Sequence, residues 1–316
     1  PEMSRGLGDV YKRQILNIMR IYFYIIAMAF ALLQFTSCQE EELDRNSIFT
    51  DEPTTEKNSF DQWLKKNYTD TYNIKLIYRL EDMETDFNYT LAPADFIMAQ
   101  KLAKVVKYTW LEAYDEVAGL DFTCTYVPKI IHMVGSPAYE ETGSVVLGQA
   151  EGGLKITLYM VNYFTLDAAT LNSLYFETMH HEFVHILHQT KNYDTEFQRI
   201  SEGNYVDNDW YLSDDEEAQA KGFVNAYASS QPDEDFAETI AIYVSIKPTE
   251  WKELLSKAGE NGASLIVRKL NMARQYMSET WNINLDELRN VTQRRLSDVT
   301  DGTLDLSPVA TLDETD

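Results

Sequence analysis

Cysteine is nearly absent from this chain, since only Cys38 and Cys124 occur among 316 residues. Two cysteines exclude a disulfide framework and a cysteine-rich zinc finger. Positive charge is also scarce: 27 basic residues stand against 51 acidic ones, and the formal net charge is −24. A surface this acidic repels phosphate backbones, so we expect no nucleic-acid partner. The 44% hydrophobic content excludes a disordered chain and is enough for a sizeable core.

Residues 21–33 form an unbroken apolar run that follows basic residues and is too short for a comfortable membrane span. Its length is typical of a signal-peptide core. The run leads to Phe35-Thr36-Ser37-Cys38, which resembles a bacterial lipobox, so we predict lipidation of Cys38 and membrane attachment through that lipid alone. An ordinary signal peptide with an incidental cysteine is the alternative. If Cys38 is lipidated, Cys124 is left as a free, buried thiol.

The predicted organisation of the chain has four parts. Residues 1–37 combine an artefact with the lipoprotein signal peptide, because DVYKRQ at residues 9–14 resembles a translated sequencing-transposon end and Met19 is a candidate start. Residues 38–57 form a lipid-anchored acidic tether. Its stretch at 39–44 resembles the acidic export signal of surface lipoproteins in Bacteroidota, although a solvated tether explains it too. Residues 58–300 form the folded domain, and residues 301–316 a flexible tail.

Hydrophobic periodicity predicts a mixed sheet followed by helices, which is an α+β fold. The first part contains a helix at 58–68, a strand at 74–80, a helix from Pro93 to about 114, and strands near 123–134, 143–149 and 154–161. Residues 148–153 are either a hairpin turn or the approach to an edge strand that pairs with substrate. Helices are predicted at about 167–190, 214–229, 233–246, 249–258, 262–281 and 285–296.

The sequence His181-Glu182-Phe183-Val184-His185 is an H-E-x-x-H motif within a predicted helix. Spacing of i, i+4 places both imidazoles on one helix face, where they can share a metal ion. Zinc suits these ligands and lowers the pKa of a bound water toward neutrality. Glu182, displaced around the helix, can act as general base on that zinc-bound water. A chance match is the alternative, and the helical, apolar context argues against it.

A catalytic zinc site needs a third protein ligand. The metzincin continuation with a glycine and a third histidine is missing after His185. A thermolysin-like, or gluzincin-like, site takes a glutamate from a later helix in an E-x-x-x-D/E arrangement, which Glu234 and Glu238 fit. Glu234 is the predicted ligand, and Glu238 is predicted to hold the outer N–H of a histidine. The alternative is an acidic first turn that merely complements the helix dipole.

These motifs together with the lipobox resemble the substrate import-associated zinc metallohydrolase lipoproteins, which are zinc-binding metallopeptidases of Bacteroidota. The resemblance implies a zincin-like domain with an active-site helix, one Zn²⁺ per chain, a place on the outer membrane facing the cell surface, and a SusC/SusD-type importer as a partner. A more distant similarity is to the catalytic domain of anthrax lethal factor, whose Y-x6-E-x-x-x-E segment matches Tyr227, Glu234 and Glu238. That similarity implies that Tyr227 is an electrophile beside the metal; a core tyrosine is the alternative.

The other histidines carry less weight. His188 returns to the face of His185, where it could contact substrate or an acid that orients a ligand, and a polar neighbour is the favoured interpretation over a metal ligand. His180 and His132 are expected to be structural.

Three functions remain open at this point. The first is a zinc-dependent hydrolase, most simply a peptidase acting on extracellular peptide or protein. The second is a non-catalytic, metal-stabilised substrate-binding lipoprotein of an importer system, which would have no need of Glu182. The third is an amidase for non-peptide substrates, which would use the same residues.

Overall fold

The computed structural model describes residues 58–81, 88–139, 145–146, 148–151 and 154–311. All of them belong to one unit of packed structure, Glu56–Asp316. The predicted signal peptide, Cys38 and the acidic tether lie outside the described residues. Within the described ranges, no helix combines the length and the apolar character that crossing a bilayer requires.

The strands form two small sheets. They are β1 (Lys75–Ile77), β2 (Ile130–Met133), β3 (Ala138–Tyr139), β4 (Val145–Val146), β5 (Gly148–Glu151) and β6 (Lys155–Leu158). The larger sheet has the order β1-β2-β6-β5, with the first three strands parallel and β5 antiparallel to β6. Its register aligns Leu76, Ile131 and Ile156, which are all buried. β3 and β4 pair antiparallel.

Five helices precede or separate the first two strands along the chain. They are α1 (Ser59–Leu64), α2 (Asp70–Tyr72), α3 (Phe96–Val106), α4 (Glu112–Ala118) and α5 (Leu120–Tyr126). Single π-helical turns join α1 to α2 and α3 to α4. Asp95 caps the N-terminus of α3, because its carboxylate accepts hydrogen bonds from the N–H groups of Ile97 and Met98.

The second half is helical, as predicted, and confirms the α+β class. It contains α6 (Ala168–Leu171), α7 (Glu177–Thr190), α8 (Glu196–Arg199), α9 (Asp215–Ala220), α10 (Pro232–Ser245), α11 (Pro248–Lys257), α12 (Gly259–Trp281) and α13 (Leu285–Thr300). A π-helical turn joins α6 to α7. Pro232 at the first turn of α10 is well placed, since its ring presets φ and that N–H would lack a helical partner.

Helix α10 lies at the centre of this half. It packs against α7, α12 and α13. Its residues from Asp235 to Ser245 are all buried, which is the expected burial of a helix surrounded by other elements. The contact between α7 and α10 therefore sets the relative position of the two helices that carry the predicted metal ligands.

The predicted strand at 123–134 is wrong in its first part, because residues 120–126 form α5. Phe122 and Tyr126, four residues apart, both pack edge-on against Trp281, at ring distances of 5.9 and 4.9 Å. Threonines favour strands, but Thr125 hydrogen-bonds the carbonyl of Asp121 one helical turn back. Tertiary aromatic packing thus outweighs local β propensity. Cys124, on this helix, is free but only half-buried, not buried as predicted.

The predicted helix at 214–229 is also wrong in its second part. Helix α9 ends at Ala220, and the backbone turns at Gly222 with φ of +93°. A side chain there would come within 2.5 Å of the Leu265 Cβ. A 3-10 turn, Tyr227–Ser229, follows before α10 begins. The break frees residues 221–231 to approach α7.

The predicted flexible tail does not hold for residues 301–311, which lie against α3. The Gln100 side chain accepts hydrogen bonds from the backbone N–H groups of Val309 and Ala310 and donates one to the Ala310 carbonyl. Ala310 is buried. The polar composition gave no sign of this, because the contacts use backbone groups that any sequence offers.

Candidate metal centre

The histidines of the H-E-x-x-H motif lie one turn apart on α7. Phe183, Val184 and Leu187, on the other side of the helix, are fully buried and fix its rotation in the core. His181 is buried and His185 nearly so. Their Nε2 atoms lie 2.8 Å apart, so both rings point toward the same space.

Glu234, in the first turn of α10, completes the cluster. Its Oε2 lies 3.0 Å from His181 Nε2 and 3.2 Å from His185 Nε2. Among the described residues, His181, His185 and Glu234 are the one group of histidine, cysteine and acidic side chains whose ligand atoms lie close enough together to hold a metal ion. The α7–α10 packing thus brings Glu234 to the two histidines, although it lies about fifty positions after them in the sequence.

The donor set and its geometry fit zinc. Bonds of about 2.0–2.1 Å from a tetrahedral ion place its ligand atoms roughly 3.3 Å apart. The three distances in the cluster, 2.8, 3.0 and 3.2 Å, are close to that triangle. Two imidazole nitrogens and a carboxylate oxygen that converge on one point can direct three lone pairs at a single cation.

Two further side chains orient the imidazoles. Glu238 Oε1 lies 2.6 Å from His181 Nδ1, and His188 Nε2 lies 2.8 Å from His185 Nδ1. With the ring proton on Nδ1, where these two partners can accept it, each histidine would offer its Nε2 lone pair to a metal, which is the usual arrangement at histidine ligands. Glu238 therefore contacts a predicted ligand, and His188 contacts the ligand His185 itself rather than substrate or an acid that orients a ligand.

The electrostatics of the cluster favour a positive charge. Burial alone would lower the pKa of His181, but hydrogen bonds with Glu234 and Glu238 outweigh it and raise that pKa to about 10. Burial would raise the pKa of Glu234, but the two histidines outweigh it and hold that pKa well below its usual range. The same field that retains a proton here also attracts a divalent cation.

The sequence matches the family described as "Putative zinc-binding metallo-peptidase" over residues 52–286, well over half of the chain. This chain belongs to that family. It is also similar to a solved structure described as a "putative zinc-binding metallo-peptidase from Bacteroides caccae ATCC 43185". The two are 44% identical with a TM-score of 0.72, and the match covers 83% of this chain and 100% of that one. No curated protein matches the chain.

In this member of the family, Glu182 lies beside the cluster and is half-buried. Burial raises the pKa of its carboxyl group, and the nearby His181 and His185 partly offset that rise. A carboxylate whose pKa is raised toward neutrality binds a proton more readily than an exposed one, which suits a general base.

Tyr227 lies beside His181 on the solvent-exposed side of the cluster, in the 3-10 turn that precedes α10. Its ring centroid is 5.9 Å from that of His181, and 37% of the residue is exposed. Burial and the negative charge of Glu234 raise the pKa of its phenol, so the hydroxyl stays protonated and remains a hydrogen-bond donor. The core-tyrosine alternative does not describe a residue with this exposure.

Asn225 is a site residue that the sequence did not reveal. Its Nδ2 donates a 2.5 Å hydrogen bond to Glu238 Oε2, and its Oδ1 accepts one from the Ala228 N–H. It therefore ties the segment that carries Tyr227 to the carboxylate beside His181. Asn225 lies in an irregular stretch that was mistaken for helix, so no periodicity or motif could identify it.

Asp235 lies about 100° around the helix from Glu234 and faces away from the metal-ligand cluster. It is fully buried, with its carboxylate 2.6 Å from the Lys269 ammonium and accepting a hydrogen bond from the Tyr205 hydroxyl. Asp235 therefore stabilises the fold and is no part of the metal site. His180 is structural: its Nδ1 contacts the Tyr114 hydroxyl at 2.9 Å, and full burial lowers its pKa to about 3. His132 is buried in β2.

The acidic residues of α10 can be ranked by zinc affinity. We expect Glu234→Ala to weaken zinc binding most, because it removes a ligand, and Glu238→Ala to weaken it about 10- to 100-fold, because His181 loses its orienting partner. Glu238→Gln, which keeps an acceptor near His181, is the matched control and should lose less. Competition with a chromophoric chelator measures all three. A larger loss for Glu238→Ala than for Glu234→Ala would contradict the ligand assignment.

Proposed function

We propose that this chain is a zinc-dependent peptidase that binds one zinc ion through His181, His185 and Glu234 and uses Glu182 as general base. The observation that carries the proposal is the convergence of three ligand atoms within 3.2 Å beside a half-buried carboxylate that is no part of the cluster. A purely structural metal site would give Glu182 no reason to be there. This favours catalysis over a metal-stabilised binding protein.

Glu182 carries both proton transfers, and its neighbours orient the metal ligands. Zinc bound at the cluster would supply Lewis acidity toward a water molecule and a carbonyl oxygen. Glu182 takes a proton from the attacking water and then gives it to the leaving amine, so one carboxylate serves as base and then as acid. Glu238 and His188 keep both imidazole rings in the orientation and tautomer that metal binding needs.

Tyr227 is the proposed oxyanion donor. Its phenol stays protonated because burial and Glu234 raise its pKa, and a hydroxyl donor aimed at developing negative charge stabilises the transition state. The distant similarity to the lethal factor catalytic domain supports the same role.

The substrate peptide has a suitable strand to pair with. β5 is the last strand of the larger sheet and contacts α7. An extended peptide that adds to this edge would pass along the helix that carries Glu182. Residues 148–151, predicted as part of a turn, form the strand β5 instead, and β6 lies between β2 and β5, so the edge strand is β5.

We further propose that the enzyme is a surface lipoprotein of the outer membrane, anchored by lipid on Cys38 and working beside a SusC/SusD-type importer. The apolar run at 21–33, the lipobox-like residues before Cys38 and the acidic stretch after it support this. The net charge of −24 argues for peptides rather than nucleic acid as substrates.

Removal of the lipid attachment site tests the location. Cys38→Ser should move the protein from the detergent phase to the aqueous phase, because the proposed anchor is lipid on that sulfur. Cys124→Ser is the matched control and should leave partitioning unchanged. Protease shaving of intact cells should degrade the wild type. Retention of Cys38→Ser in the detergent phase would contradict lipid anchoring at that residue. Full protection of the wild type from the protease would place the protein on the periplasmic side of the outer membrane.

Cleavage-site profiling tests the activity. The purified protein, with and without a chelator, is incubated with a digest of extracellular proteins, and new peptide termini are identified by mass spectrometry. We expect chelator-sensitive cleavage. Tight binding of intact peptides without cleavage would instead support the non-catalytic binding protein.

A further inference from the structure

Three consecutive large apolar residues lie at the protein surface in the 3-10 turn Asp207–Leu212. They are Trp210, Tyr211 and Leu212, called the apolar segment below. Tyr211 is 66% exposed and Leu212 70%, while Trp210 is half-buried. The other exposed large apolar residues described, such as Leu120, stand singly in the sequence. Clustered apolar exposure on a folded protein, with aromatic residues in it, is typical of a binding surface.

The apolar segment lies next to the metal centre. The Trp210 ring meets the Tyr227 ring edge-on at a centroid distance of 5.1 Å, and Tyr227 in turn lies 5.9 Å from His181. Trp210 is therefore two ring contacts from a metal ligand, and the Tyr211 ring lies a further 6.3 Å from that of Trp210. An extended peptide advances about 3.3 Å per residue, so a side chain on the segment belongs to a residue within about five positions of the bond at the metal.

Backbone hydrogen bonds hold the segment against the turn that carries Tyr227. The N–H of Val206 donates to the Ser229 carbonyl at 2.9 Å, and the N–H of Asp207 donates to the Ser230 carbonyl at 3.0 Å. Asp207 has φ of +49°, a left-handed conformation that aspartate tolerates better than most residues. A surface fixed in this way needs little ordering when it binds a ligand.

The charge around the segment has one sign. Residues 207–217 contain six acidic residues and no basic one. Asp214 caps α9 and Asp215 accepts a hydrogen bond from the Ala226 N–H, so these two have structural partners. Asp207 and Asp209 immediately precede the apolar residues and are exposed. A ligand that pairs with this surface should carry positive charge next to its apolar group.

We propose that the apolar segment is the specificity-determining surface of the metal centre, and that it selects peptides with a large apolar side chain within about five residues of the scissile bond and a lysine or arginine beside it. The inference rests on the proposed peptidase function and names the substrate class of that same site. Burial of Tyr211 and Leu212 against the substrate side chain supplies the preference for apolar groups, and Asp207 and Asp209 supply the preference for basic ones.

One peptide pair tests the apolar preference. From cleavage sites found with the wild type, one peptide keeps its apolar residue and its partner has alanine there. We expect the wild type to prefer the apolar peptide at least about 10-fold in kcat/KM, the scale on which apolar pockets discriminate. The double variant Tyr211→Ser with Leu212→Ser should reduce that ratio toward one with zinc content unchanged. Leu120→Ser, an exposed apolar site on α5, is the matched control and should keep the wild-type ratio.

A second pair, with lysine or glutamate beside the apolar residue, tests the charge. Asp207→Asn with Asp209→Asn should reduce the preference for lysine several-fold, and added salt should do the same to the wild type.

Failure of the proposed peptidase function and failure of this inference give different results. A zinc-loaded protein that cleaves no peptide would overturn the proposed peptidase and this inference together. A peptidase without apolar preference, or with one that survives the Tyr211 and Leu212 changes, would overturn the inference alone.

Discussion

Glu182→Gln should lower kcat/KM on any cleaved peptide by about 10²–10⁴-fold, which is the usual contribution of a general base. The amide is nearly isosteric with the carboxylate but cannot accept the proton of the attacking water. Zinc content should stay at the wild-type level, because Glu182 is no member of the ligand cluster. Steady-state kinetics with metal analysis on the same preparation measures both quantities.

Glu196→Gln is the control for this substitution. Glu196 is exposed on α8 and, among the described residues, forms an ion pair with Arg199 alone, one turn along the same helix, so its loss should change kcat/KM by less than about twofold. Near-native turnover by Glu182→Gln would remove Glu182 from the chemistry. Loss of zinc together with activity would mean that Glu182 acts on the metal site itself.

Asp235→Ala should lower the free energy of unfolding by about 3–5 kcal/mol, because it leaves the Lys269 ammonium charged and unpaired in the core. Both side chains are essentially inaccessible to solvent. Burial raises the pKa of Asp235, and the Lys269 ammonium 2.6 Å away opposes that rise and favours the ionised carboxylate. Urea denaturation followed by circular dichroism measures the change.

A double variant separates the charge pair from simple side-chain loss. Asp235→Leu with Lys269→Met replaces both charges by apolar groups and should recover most of the stability, since buried pairs are often replaced at little loss. A drop for Asp235→Ala of under about 1 kcal/mol would contradict the buried ion pair. A double variant as unstable as the single one would mean that packing, rather than charge, is at stake.

The sequence predicted what depends on short-range spacing. His181 and His185 share a face because four residues make one helical turn, and the same arithmetic places Glu234 and Glu238 on one side of α10 and Asp235 on another. Packing between α7 and α10 brings His181, His185 and Glu234 together. Spacing along the sequence can suggest that contact but cannot determine it.

The features that the sequence could not predict depend on distant partners. Nothing near Asp235 indicates that Lys269, thirty-four positions later, pairs with it. Residues 120–126 form a helix because Trp281, more than 150 positions away, packs on Phe122. Asn225 reaches Glu238 only because α9 ends early at Ala220. In each case tertiary contact decides, and local propensity is neutral or points the other way.

Zinc titration of the metal-stripped protein tests the central claim most directly. The protein is freed of metal by chelation, and bound zinc and peptide cleavage are measured as zinc is added back. We predict that one equivalent of zinc binds per chain and that cleavage rises in step with it, while His181→Ala and His185→Ala bind zinc far more weakly and stay inactive. A folded wild-type protein that takes up no zinc, or that cleaves peptides equally well without it, would contradict the account.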